Sequence, residues 1–189
     1  MSTVFYTATS LDGFIAAPDN SLDWLFQFGE LEPNTFDDFL AEVGAIAMGS
    51  TTYQWIYDHD FSADADNTQP WPYQVPAWVF TSRQLPVIAG ADVRFVSGDV
   101  RPIHQDMAIA AGKKKLWIVG GGDLAGQFYD AGLLNEIVVQ IASVTLGGGA
   151  PLFPRRVDPP LKLLSARTYG QNFAELRYGV LPPRSANDV

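Results

Sequence analysis

The chain has no cysteine and two histidines among its 189 residues. No disulfide framework, thiolate nucleophile or thiolate-ligated metal is therefore available. His59 stands between Asp58 and Asp60, but no second histidine falls at ligand spacing, so a solvated turn is expected there and no metal site is predicted. Long apolar runs are also missing. Gly, Asp or Gln interrupts every such stretch within about 8 to 10 residues, against the roughly 20 that a spanning helix needs. The opening Met1-Ser2-Thr3-Val4-Phe5-Tyr6 lacks the basic flank and cleavage pattern of a secretory signal. These absences point to a cytoplasmic protein with no membrane partner. Basic residues are few, 12 against 21 acidic, and the net charge of −9 repels nucleic acid. A phosphate-bearing ligand would have to be captured by local groups, such as helix N-termini, glycine-rich turns and a few placed hydroxyls or arginines.

Several catalytic signatures are absent. No Walker glycine-lysine loop occurs, no Gly-x-Ser-x-Gly elbow, and no Tyr-x-x-x-Lys pair. A Rossmann fingerprint would place an acid about 20 residues beyond its glycines to hold a ribose. The matching stretch here reads Val138-Val139-Gln140-Ile141-Ala142-Ser143.

What the chain does have is a hydrophobic fraction of 47% and a charged fraction of 17%, which fit one globular domain over residues 1–189, with 182–189 a peripheral tail. Short β-branched or aromatic runs alternate with amphipathic stretches, the pattern of an α/β fold. Strands are predicted at Val4–Thr9, Ala45–Met48, Trp78–Phe80, Val93–Val96, Leu116–Val119, Ile137–Thr145, Leu161–Tyr169 and Glu175–Leu181. Phe36, Phe39, Leu40 and Val43 recur at helical spacing, as do Ile103, Met107 and Ala111, and Leu124, Phe128 and Ala131, the last helix closed by Gly132. Thr51 or Thr52 is expected to cap a helix running to Tyr57. Residues 10–33 form a long connection, and 58–76, rich in Asp and Pro, an irregular insertion. The last two strands meet at Gly170-Gln171-Asn172, so the sheet is expected to be mixed, mostly parallel and flanked by helices, with an antiparallel C-terminal hairpin.

Three strand-to-helix junctions carry groups suited to phosphate. Gly120-Gly121-Gly122, followed by Asp123 and Leu124, lets backbone pass close to a pyrophosphate in front of a helix N-terminus. Gly49-Ser50-Thr51-Thr52 offers a close approach and three hydroxyls. Thr81-Ser82-Arg83 sets hydroxyls beside a guanidinium, which can grip a 2′-phosphate bidentately. Each alone could be tight packing or a helix cap. Together, at the C-terminal ends of strands in one sheet, they suit an open α/β nucleotide site.

At these turns the chain resembles the dihydrofolate reductase superfamily, in the branch of the riboflavin-biosynthesis reductase, the RibD C-terminal domain. The matching segments are 10–16, 22–25, 48–53, 80–83, 118–122 and 146–153, in family order. The resemblance implies a dihydrofolate reductase-like sheet and NADPH as cofactor. In that arrangement Ala8 and Ile15 lie along the nicotinamide, and Gly49, Ser50, Thr51 and Thr52 at the phosphates. Thr81, Ser82 and Arg83 meet the adenosine side, and Gly120, Gly121, Gly122, Asp123 and Leu124 the pyrophosphate. It also implies a homodimer formed through the late strands, for which the apolar, glycine-rich Leu146–Phe153 is suited. Two departures stand out. Thr35 occupies the place where folate reductases carry a helix carboxylate, with Asp37 and Asp38 nearby, and Ser50 stands where a basic residue is frequent.

The expected activity is hydride transfer from NADPH to a small heterocycle of pteridine or ribosylaminopyrimidine type, the protein supplying proximity and alignment. Trp24 as a cover over the ring, Gln140 as a partner for a ring amide and Asp23 as a carboxylate are the substrate-side candidates. Trp24 as a core residue and Gln140 as a solvent-facing one stay open as alternatives. For the proton that accompanies the hydride, Asp23, Asp37, Asp38 or an ordered water are the candidates, and none of them stands out. A Rossmann-type NAD(P) dehydrogenase and a non-catalytic nucleotide-binding or sensor module remain as other readings.

Overall fold

The computed structural model describes residues 1–29, 35–62 and 70–181. Its centre is an eight-stranded sheet. In spatial order the strands are β5 (Val93–Val96), β4 (Ala77–Phe80), β3 (Val43–Gly49), β6 (Lys115–Gly120), β1 (Thr3–Ser10), β7 (Glu136–Ala142), β10 (Phe173–Gly179) and β9 (Lys162–Tyr169). From β5 to β7 all pairings are parallel. β10 then runs antiparallel to β7, and β9 antiparallel to β10. The expected mixed α/β sheet with its C-terminal hairpin is therefore present. Central parallel strands are covered on both faces, which is why Ala45-Ile46-Ala47-Met48 reads as one unbroken apolar run.

Each face carries its own core. On one, Val4, Tyr6, Ile46, Met48, Trp117 and Val138 pack beneath α2 (Thr35–Ala41) and α3 (Ser50–Asp60). On the other, Phe5, Leu116, Ile118, Ile137 and Val139 meet α4 (Val100–Ala111) and α5 (Gly122–Asp130). The stripe Ile103, Met107 and Ala111 fixes which face α4 buries, and Met107 is wholly inaccessible. Truncating a methionine so placed to alanine costs about 2–5 kcal/mol.

Local differences from the sequence expectation have simple causes. Val43 continues the apolar spacing of α2 but opens β3 instead, because its backbone is recruited by the sheet beside Lys115. Neither Thr51 nor Thr52 caps α3: the N-cap is Gly49, and both threonines lie in the first turn. The connection after β1 contains β2 (Phe14–Ala16) and the short α1 (Asp23–Phe26). Of the expected insertion, 58–60 belong to α3, 63–69 lie outside the described residues, and Trp71 is buried. The tail 182–189 lies outside them too. His59 is stacked on Trp55 and Phe26.

The segment 146–153 is engaged within the chain. Its residues Ala150–Pro151 form β8, which pairs with β2, while the Leu152 N–H donates to the Gly13 carbonyl at 2.9 Å. Gly149, at φ +130°, is held against the Ala16 carbonyl so closely that an added Cβ would lie 2.0 Å from its oxygen.

Candidate active site

β3 and β6 are neighbours in the sheet, yet the helices that follow them depart to opposite faces. Tyr53 and Ile56 of α3 belong to one core, and Leu124, Ala125 and Phe128 of α5 to the other. Adjacent strands with diverging helices leave a crevice at their C-terminal ends. Here it is a cleft of about 540 Å³ lined by Gly49–Thr52, by Gly120–Leu124, and by Thr7, Ile15 and Ala16.

The chemistry of this cleft is set by backbone. The N-caps of α3 and α5, Gly49 and Gly121, are both extended, and among the described residues neither helix end has a side-chain cap hydrogen bond. At α4, by contrast, Asp99 accepts the Arg101 N–H. Two sets of unclaimed helix N–H groups, each at the positive end of a helix dipole, thus border one cavity. The Gly120–Gly121 peptide is cis.

The three consecutive glycines do different things. A Cβ on Gly122 would lie 2.3 Å from the Leu152 carbonyl oxygen and 2.6 Å from that of Pro151, so its bareness is required by packing on the 150–153 segment. A Cβ on Gly121 would meet nothing nearer than Ile15 Cδ1 at 3.9 Å. Its φ of −95° is open to any residue, so neither packing nor backbone angle demands glycine there.

The wall carrying Ile15 is held by Asp12. Its carboxylate accepts the Ser10 hydroxyl at 2.6 Å, the Leu146 N–H at 3.0 Å and the Gly147 N–H at 2.7 Å. These bonds, that of Ser10 first, lower its pKa below the ordinary aspartate value. Beside the glycine turn, Asp123 is drawn away by Gln127 and then by Arg155, which also binds Asp130, and its pKa is likewise lowered.

Of the residues singled out in the sequence, Ile15, Gly49, Ser50, Thr51, Thr52 and Gly120 through Leu124 come together around the cleft. Thr7 borders it, whereas its neighbour Ala8 packs in the small core of Trp24, Phe28 and Ala142. Thr81, Ser82 and Arg83 follow Phe80, which does line the cleft, and form a tight turn with the Arg83 N–H donated to Thr81 Oγ1 at 2.9 Å. Ser82 and Arg83 are exposed. Asp23 is exposed in the first turn of α1, next to Leu22 at the cleft edge. Trp24 is buried with its indole N–H unpartnered among the described residues. Gln140 is buried on the α2 face and donates to Tyr6 Oη and Glu175 Oε2 at 2.7 and 3.2 Å.

Sequence reasoning missed the far end of the cleft: Asn20, Leu22, Trp55, Ile56 and Tyr73. Trp55 and Ile56 were findable as the next turn of the helix after Gly49, but Tyr73 arrives from an irregular segment with no periodic signal. It stands edge-on to Trp71 and Trp117. Burial, with a smaller contribution from Asp60, pushes its phenol up to about 12, so it is a hydrogen-bond donor across the working pH range.

Residues 3–174 match the family profile of the RibD C-terminal domain. The chain belongs to that family. Among the relatives of this RibD C-terminal domain protein is YwjB, an uncharacterized protein of Bacillus subtilis, 30% identical over 171 residues that cover 89% of this chain and 92% of YwjB. A riboflavin biosynthesis protein from Shewanella sp. PV-4 has a solved structure that superposes with a TM-score of 0.75 at 28% identity, over 95% of this chain and 98% of that one. The dihydrofolate reductase of Enterococcus faecalis, solved in complex with NADP(H), shares the fold with a TM-score of 0.59 at 14% identity, over 94% and 95% of the two chains. The RibD C-terminal domain of this chain thus has the dihydrofolate reductase-like architecture.

Proposed function

We propose that the protein is an NADPH-dependent reductase of a small heterocycle of pteridine or ribosylaminopyrimidine type. The observation that carries this reading is the convergence of two uncapped helix N-termini and the open side of Gly121 on one cleft. The residues fit such a group. Gly120 to Leu124 would hold the pyrophosphate and Gly49 to Thr52 further phosphate oxygens, through backbone N–H groups and hydroxyls. Ile15 and Thr7 would lie along the nicotinamide, and Thr81, Ser82 and Arg83, past the rim strand β4, would meet the 2′-phosphate. When bound, NADPH supplies the hydride.

The chain's own contribution is alignment and the exclusion of water. Leu22, Trp55 and Ile56 give the far end of the cleft apolar walls against which a flat ring can be oriented. Tyr73 offers a phenolic proton for a ring heteroatom. Trp24, buried in α1, supports the loop that carries Leu22. The proposal includes a homodimer, for which β9 is the exposed outer strand, with Leu163 and Leu164 54% and 53% accessible.

The test is a fluorescence titration with NADPH, followed by loss of NADPH absorbance against a panel of pterins, aminopyrimidines and small carbonyl compounds. Saturable binding and turnover of a ring compound are expected. Absence of NADPH binding overturns the reading, and tight binding without turnover of any compound favours a nucleotide-sensing module.

A further inference from the structure

We propose that a second cavity, on the α2 face of the sheet, binds a small planar zwitterion, with an amidine- or amine-type cation at Glu175 and an acid group at Arg167. This goes beyond the cleft described above, because no described residue lines both cavities. Its volume is about 200 Å³, and Tyr6, Phe39, Tyr169, Lys115, Arg167 and Glu175 are among its walls. That is smaller than the roughly 300–1,000 Å³ of ordinary ligand pockets and suits a fragment-sized metabolite.

Glu175 is the reason to expect an occupant. It is 5% exposed, on β10, and among the described residues it forms no ion pair. A buried carboxylate normally has a cationic partner or a full set of hydrogen bonds. Here both bonds, from Tyr6 Oη at 3.4 Å and Gln140 Nε2 at 3.2 Å, go to Oε2. No hydrogen bond from a described residue reaches Oε1, and it belongs to a residue that lines the cavity.

The opposite end of the ligand is specified by Arg167. Among the described residues three cations border the cavity, and two are occupied: Lys115 by Glu42, and Arg177 by Glu136 at 2.6 Å. Arg167 has no ion pair among the described residues. It sits directly across from Glu175 in the β9–β10 ladder. Opposed side chains of this kind have Cβ atoms about 4.5–5.5 Å apart, yet the two head groups do not join. An ion pair across the ladder would satisfy both, so their separation leaves a buried donor-seeking carboxylate and an acceptor-seeking guanidinium on a single cavity, whose lining also includes the exposed Asp38. The aromatic walls select a flat molecule between them.

The probe is 4-amidinobenzoate, a planar ring with an amidinium at one end and a carboxylate at the other, with benzamidine and benzoate as half-molecules. Calorimetry on the full chain should show one site for 4-amidinobenzoate, unchanged by saturating NADPH, and each half-molecule should bind about tenfold or more weakly, because each forfeits one charged contact. Arg167→Ala should weaken 4-amidinobenzoate by a similar factor and leave benzamidine unaffected. Glu175→Gln should weaken both. No binding heat, equal affinity in the unaltered protein and Arg167→Ala, or displacement by NADPH overturns the proposal. If Glu175→Gln melts early, exposed Arg167 carries the decision alone. NADPH affinity is read in a separate titration, so the reductase reading and the second site can fail independently.

Discussion

The glycine-lined cleft and the Glu175 cavity lie in the same sheet, but one is made of backbone and the other of side chains. The cleft sits where strands end, and its polar groups include the helix N–H donors at the starts of α3 and α5, each contiguous in sequence with the strand before it. The Glu175 cavity sits over the body of the sheet and joins Tyr6, Gln140, Arg167 and Glu175, brought together by pairing of β1, β7, β10 and β9. A backbone site suits a ligand recognised by its phosphates and tolerates an acidic protein, because helix ends act at short range. A side-chain site distinguishes charges on a small molecule, and it depends on register, since a slip of one residue would turn Glu175 to the other face.

The sharpest way to break this contrast is at the glycines. Gly121→Val should abolish NADPH binding, beyond a hundredfold in affinity by an order-of-magnitude judgement of filling a phosphate cradle. Its melting temperature should move less than that of Gly122→Ala, since a Cβ at this site meets no close atom and the backbone angle is open to any residue. Gly122→Ala should do the reverse in kind, destabilising the fold by about 1–3 kcal/mol as the 150–153 segment is forced away. If Gly121→Val keeps its NADPH affinity, the cleft is not a phosphate site.

A smaller effect is expected at Arg83, the charged side chain proposed above to meet the 2′-phosphate. A hydrogen bond to a charged group contributes about 1.5–3 kcal/mol, so Arg83→Ala should weaken NADPH by roughly 10- to 150-fold. NADH, lacking the 2′-phosphate, should bind Arg83→Ala and the unaltered protein alike in the same titration. Equal loss for both would assign Arg83 to the shared part of the cofactor or to structure.

The smallest effect concerns the tie between the two halves of the cleft wall. Because the folded pKa of Asp12 is lowered, its contribution to stability is complete above the ordinary aspartate value of 3.8 and disappears as pH falls through the lower folded value. The Leu146 and Gly147 amide resonances should therefore shift together with a midpoint below 3.8. Asp12→Asn should remove that titration and leave the remaining amides of the sheet unchanged.

The same contrast divides what could be read in the chain from what could not. Periodicity and β-branched runs located the main strands and helices, because side-chain burial leaves a local trace at spacings of two and three to four residues. The glycine turns were legible for the same reason, since a strand, a bare backbone and a helix N-terminus are contiguous in sequence. Less legible was Ala150–Pro151, two residues whose pairing with β2 depends on a partner more than a hundred positions away. Gln140 illustrates the limit. Its polarity in an apolar strand marked it as unusual, but only the pairing of β7 with β1 and β10 showed that Tyr6 and Glu175 are its partners.

By itself the sequence determined the α/β architecture, the order of its elements and the backbone turns that form the cleft, because these follow from short-range spacing. Tertiary structure alone decided that α3 and α5 leave neighbouring strands on opposite faces, that Gly122 is bare for packing while Gly121 is bare toward the cleft, and that Glu175 faces a cavity without a cationic partner among the described residues. Those outcomes depend on strand order and register, which are fixed by contacts between distant segments and leave no periodic signature in any one of them.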